Sequence, residues 1–192
     1  NVCGSQEYAV GGAQGTINTT FQDSIRLVFQ EPPDGYMVRQ ALFARSIIAD
    51  NFGELEPVDD YNFFMFPQLN DEVGAPMQGG ADVMAMYNED NQAAVAMMNY
   101  MFGETGQRAM AQSGWGLSPN NNITADDYED PLQGRAAELL QEAPAFSFDA
   151  DDRMPGGLNV DYWQGTVDYL TGGDLDTILQ NLEESAVEAY GE

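Results

Sequence analysis

Histidine and lysine are both absent from this chain, and cysteine occurs once. Without histidine there is no Ser-His-Asp relay, no imidazole ligand for zinc and no histidine general acid or base. Without lysine there is no Schiff-base nucleophile, and a phosphate-binding loop cannot be completed. Cys3 has no second thiol to pair with, so intrachain disulfides and paired-cysteine sites are excluded, and the compartment stays open. No apolar run approaches the roughly 20 residues of a membrane span, and none precedes Cys3 as a secretory signal would. The chain begins at Asn1 rather than Met, which suggests a mature product or a cut piece.

Positive charge is scarce too. The only six cations are arginines, set against 32 carboxylates, for a formal net charge of −26. So few cations make nucleic acid a poor partner, because its phosphates would stay unneutralised. Hydrophobic residues at 43% and aromatics at 11% are too many for a disordered acidic tail. A surface this acidic repels itself until salt screens it, which is economically explained by a high-salt habitat. With 192 residues the chain suffices for one large or two small domains with a substantial core.

The most informative stretch is Gly79-Gly80-Ala81-Asp82 followed by Val83, Ala85 and Tyr87. Its alternation predicts a buried strand over residues 79–87. Asp90 is the expected N-cap of a helix through the methionine-rich run 91–101. Glycine at the corner permits close backbone approach, and Asp82 can accept two hydrogen bonds. The plainer reading is a tight turn with an exposed acid.

Before it, Gly11-Gly12-Ala13-Gln14-Gly15 has the wrong spacing for a dinucleotide fingerprint and is expected to be a loop. One amphipathic helix is expected from Thr16 to before Pro32-Pro33, then a short strand at 36–39 and a helix over 41–52. The aromatic run Asn62-Phe63-Phe64-Met65-Phe66 predicts a buried strand, and a polar loop over 68–78 follows. Beyond the methionine helix, Glu104 and Arg108 are spaced as a helical ion pair. A loop over 113–120 carries Trp115 between two glycines. Helices are expected after Asp130-Pro131, through Tyr162-Trp163 to Leu170, and after the capping residue Asp174, with a short strand at 145–148. Helices with about four short strands make the class mixed α/β and helix-rich.

Trp115 and Trp163 both lie beside glycine-rich turns, and an indole face suits the C–H side of a sugar ring. Trp115, in a loop, is expected to be exposed. Trp163, in a helix with Val167 and Leu170, reads as core just as readily. The acidic turn Asp149-Ala150-Asp151-Asp152 fails the calcium-loop pattern, since Arg153 and Met154 stand where a ligand and glycine belong, so no metal is expected. Met84, Met86, Met97, Met98 and Met101 read as packing filler ahead of an adaptable binding surface. No carboxylate pair stands out by spacing as a glycosidase site.

Taken in order, several motifs acquire a joint meaning. They are Gly11-Gly12-Ala13-Gln14-Gly15 with Asn18-Thr19-Thr20-Phe21-Gln22-Asp23, Pro32-Pro33-Asp34-Gly35-Tyr36, Gly79-Gly80-Ala81-Asp82 and Gly114-Trp115-Gly116-Leu117-Ser118-Pro119-Asn120. Phe146-Ser147-Phe148-Asp149, Met154-Pro155-Gly156 and Tyr162-Trp163-Gln164-Gly165-Thr166 continue the series. Their succession resembles the carbohydrate-binding proteins of ABC importers, nearest the maltose and α-glucoside type, over roughly residues 11–190. It matches the C-terminal half of such proteins only.

The resemblance implies the C-terminal portion of a two-lobed, type 2 periplasmic-binding-protein-like fold. Residues 1–192 would form mainly the second lobe, with helices returning to the first and the N-terminal half absent. It implies that Trp163 stacks on a sugar, that Gly79, Gly80 and Asp82 face the cleft, and that Trp115, Tyr36 and Arg39 lie nearby. It further implies an oligosaccharide ligand, an α-glucoside, handed by hinge closure to the membrane permease of an ABC transporter, without catalysis or cofactor. The expected location is extracellular or periplasmic, at the membrane through an N-terminal anchor. The missing half, or self-association, would complete the partners. The rival reading is a secreted glycosidase or carbohydrate-binding module, which requires two carboxylates about 5–9.5 Å apart.

Overall fold

The computed structural model describes residues 5, 7–68, 70 and 76–191. Cys3 and much of the expected 68–78 loop lie outside them. The chain divides into two compact units, one of residues 1–39 with 148–192 and the other of 40–147.

In the first unit, helix α1 (Gly12–Asn18) precedes α2 (Phe21–Phe29). The single helix expected from Thr16 is therefore broken, and the glycine run expected as a loop forms its own helix. The break falls at Thr20, whose extended backbone and hydroxyl, accepting from the Asp23 amide at 3.1 Å, start α2. Ile25 is fully buried on α2. Helices α7 (Leu158–Leu170) and α8 (Leu175–Tyr190) pack on each other, and α7 also touches α1. Asp174 caps α8 as expected, accepting from the Thr177 amide at 2.9 Å. Residues 36–39, expected as a strand, have no regular structure.

The second unit opens with α3 (Ala44–Asn51), shorter than the helix expected over 41–52. Strand β1 (Met77–Gly79) pairs with β2 (Phe146–Phe148), and these are the only two strands among the described residues. The predicted strand at 62–66 is absent and that at 79–87 is reduced to Gly79 at the end of β1: residues 62–66 and 80–87 are irregular, with Phe64, Phe66, Val83 and Tyr87 exposed. A strand needs a neighbour to satisfy its amides, and these apolar alternations pair with no strand among the described residues.

Helix α4 (Gln92–Phe102) starts one residue later than expected, capped by Asn91 rather than Asp90. Helices α5 (Glu104–Gln112) and α6 (Pro131–Glu142), with a 3-10 turn at Ala125–Asp127, hold the core of Ala111, Ile123, Tyr128 and Ala137. Arg108 pairs with Glu104 at 2.9 Å, as its spacing predicts, and also with Asp127, which spacing does not reveal. Proline at the first helical position after Asp130 fixes the start of α6.

Candidate functional site

The expected ligand residues fall in both units. Trp163, Tyr36 and Arg39 belong to the first, and Gly79, Gly80, Asp82 and Trp115 to the second.

Trp163 lies on α7 with half of its surface (50%) open to solvent, so it is not a core residue. Its indole Nε1–H donates to Asp151 Oδ2 at 2.9 Å. Asp151 opens the 3-10 turn Asp151–Arg153, part of the acidic turn that fails the calcium-loop pattern. One edge of the ring is thereby tethered while half of its surface stays open, an arrangement suited to an apolar, C–H-bearing ligand face. Tyr36, 88% exposed, and Arg39, also exposed, follow the Pro32-Pro33 turn.

In the second unit, Trp115 is 63% exposed, as expected of an indole in a loop. The loop beneath it is rigidly held. Gly114 adopts a left-handed φ of 75°, and its carbonyl accepts from Gln133 Nε2 at 3.0 Å. The Ser118 amide donates to the Tyr128 hydroxyl at 2.8 Å, and Ser118 Oγ donates to Gln107 Oε1 at 2.7 Å. Below the loop Asp130, 5% exposed, accepts from the Leu132 amide at 2.7 Å and pairs with Arg45. Burial and then the Asp130 charge raise the Tyr61 phenol above its usual range, with Arg45 opposing. Sequence reading missed this support, because Arg45 and Asp130 are 85 positions apart.

Gly79 is less open than the cleft reading expects. It sits half-buried in β1, where a Cβ would meet Phe146 Cε2 at 3.2 Å. Gly80 and Asp82 are exposed. Of the five methionines read as packing filler, Met84, Met86, Met97 and Met98 line an open apolar groove of about 280 Å³ beside Tyr87. Among the described residues no group of three carboxylates or thiols is placed to hold a metal, and no helix is long and apolar enough to cross a membrane.

Two curated proteins match almost the whole chain. The osmoprotective compounds-binding protein GgtB of Synechocystis sp. is 32% identical over 182 residues, which is 94% of this chain and 42% of that protein. The alpha-glucosides-binding periplasmic protein AglE of Rhizobium meliloti is 33% identical over 178 residues, 91% of this chain and 38% of that protein. The chain is a homologue of solute-binding proteins. It spans about two-fifths of the length of these relatives. No family model matches it, and no solved structure does. Both relatives are named for binding, which supports a non-catalytic assignment over the glycosidase alternative. The mixed, helix-rich architecture is consistent with a periplasmic-binding-protein-like fold.

Proposed function

We propose that this chain is part of an extracytoplasmic binding protein that captures a carbohydrate and delivers it to the permease of an ABC transporter. The observation that carries the reading is homology along nearly the entire chain to two binding proteins, one named for α-glucosides and one for osmoprotective compounds. The favoured ligand is an α-glucoside oligosaccharide. Trp163 supplies the stacking plate, its orientation fixed by Asp151. Trp115 supplies a second aromatic face on a braced loop, and Asp82 an acceptor for sugar hydroxyls. Tyr36, Arg39 and the Gly79-Gly80 backbone complete the candidate set.

The whole protein is a two-lobed, type 2 binding fold with its ligand held between the lobes, and residues 1–192 are its C-terminal portion. Closure about a hinge raises affinity because only the closed state makes both sets of contacts. An N-terminal anchor holds the protein at the membrane.

The test is tryptophan fluorescence and thermal shift at high salt against α-linked sugars, β-linked sugars and osmoprotective polyols. Saturable binding of an α-glucoside without release of free sugar is expected. Turnover of any glycoside overturns the reading, and no response to any compound removes ligand binding from this portion.

A further inference from the structure

Two stretches of the chain read Asn-x-Thr, the acceptor signature for an N-linked oligosaccharide: Asn18-Thr19-Thr20 and Asn122-Ile123-Thr124. Three residues make a weak signature, but the structure separates the two. Asn18 ends α1, where its Nδ2 donates to the Gln14 carbonyl at 2.8 Å, and the Thr20 hydroxyl is taken up in capping α2. Both groups that the modification needs are thus engaged at helix ends. Asn122 lies instead in the turn between the Trp115 loop and the 3-10 turn Ala125–Asp127. Burial over 122–124 runs exposed, buried, exposed. Ile123, 1% exposed, belongs to the core, and its carbonyl accepts from Gln141 Nε2 at 2.9 Å. With Ile123 turned inward and Thr124 extended (φ −102°, ψ 173°), the Asn122 and Thr124 side chains stand on the outer side of a fastened turn. Asn122 Nδ2 donates to the exposed Glu104 Oε2 at 3.3 Å, beyond the usual N–H···O range, so little holds it back.

We propose that Asn122 is an N-glycosylation site, modified by a transferase that draws its oligosaccharide from a lipid-phosphate-linked donor. Asn122 Nδ2 forms a bond to C1 of the donor's first sugar, and the C1–O bond to phosphate breaks. The lipid phosphate leaves with that electron pair, and one amide proton passes to the transferase. Thr124 supplies the hydroxyl that the signature places two residues after the asparagine. A bulky, solubilising glycan fits an exposed turn whose only inward residue is already packed, since nothing in the core has to move for it. The inference rests on the extracytoplasmic part of the proposed function, because the signature belongs to surface loops of secreted proteins, and not on ligand binding.

The experiment is peptide mass mapping of the protein recovered from the extracytoplasmic fraction of the cells that make it. Without lysine, trypsin cuts this chain only after arginine, so the two signatures fall on separate peptides, one ending at Arg26 and one spanning 109–135. Peptide 109–135 is expected to be heavier than its sequence by a whole number of sugar residues, with fragmentation placing the added mass on Asn122. The peptide ending at Arg26 is expected at its bare mass. Asn122→Gln and Thr124→Ala should each lose the added mass completely, and Thr124→Ser should keep it, because serine also completes the signature. A bare 109–135 peptide from extracytoplasmic protein overturns the proposal and leaves the carbohydrate-binding reading standing. Protein found bare and only in the cytoplasm overturns both. Added mass on Asn18 in place of Asn122, or mass that persists in Thr124→Ala, also overturns the assignment.

Discussion

The indole of Trp163 and the carboxylate of Asp151 meet at 2.9 Å across a helix and a 3-10 turn. Half of the indole surface stays open and its N–H is already satisfied, so the ring is an oriented plate and not a hydrogen-bond donor for ligand. Trp163→Ala should therefore weaken sugar binding by roughly tenfold or more, the loss of an aromatic face beyond its area. Asp151→Ala should keep the ring but free its orientation, weakening binding by about three- to tenfold, the scale of one hydrogen bond. A fluorescence or calorimetric titration with an α-glucoside measures both; equal affinity in all three proteins would remove Trp163 from the site.

Asp130 both caps α6 and balances Arg45, with a side chain only 2% exposed. Asp130→Ala removes the cap and leaves a partly buried guanidinium unpaired, which should cost about 3–5 kcal/mol. Asp130→Asn keeps cap geometry and should cost less. Denaturant unfolding at high salt followed by far-UV circular dichroism compares them, with equal losses counting against the cap. The same cluster braces the Trp115 loop through Gln133, so Trp115 emission should shift in the alanine variant.

What the sequence made legible was the local grammar of helices. Asp130-Pro131, Asp174 and the Glu104/Arg108 spacing each placed an element or contact correctly, because caps and ion pairs within a turn depend on neighbours in sequence. Exposure of Trp115 followed in the same way from its flanking glycines. Strands were misread for the opposite reason. Residues 62–66 and 79–87 have the apolar pattern of strands, but a strand exists only with a partner, and among the described residues only Phe146–Phe148, within the stretch expected as a strand, and Met77–Gly79 pair with each other. Thr20 was the missed signal in the first helix, its hydroxyl offering a new start that periodicity alone overlooked. The Arg45–Asp130 and Trp163–Asp151 contacts were invisible, since nothing local ties their positions together.

The Asp174 carboxyl is held below its ordinary range, first by the Thr177 hydroxyl and then by the Thr177 amide. A depressed folded-state value means that ionisation supports the fold above the unfolded carboxyl range and that this support is lost as pH falls through the folded value. The α8 terminus should thus be fully capped at neutral pH and weaken on acidification below about pH 4. Asp174→Ala should remove that part of the acid transition in helical circular dichroism. Thr177→Val should shift it to higher pH, because the strongest support of the charged form is gone. An acid transition identical in all three proteins would show that the cap does not govern it.

Thermal stability should climb with salt, and the reason is carried by the whole surface. With 32 carboxylates against six arginines, acids outnumber cations more than five to one, and their mutual repulsion is left largely uncompensated. Screening shortens the reach of their repulsion from about 10 Å at 0.1 M to about 3 Å at 1 M salt. The melting temperature should rise between those concentrations in sodium chloride and potassium chloride alike, since charge screening does not distinguish them. The exposed pairs Arg26–Asp23 and Arg108–Glu104 weaken over the same range, but exposed pairs are each worth at most about 1 kcal/mol, so repulsion dominates. A melting temperature that falls or stays level from 0.1 to 1 M would mean that self-repulsion is not what limits this fold.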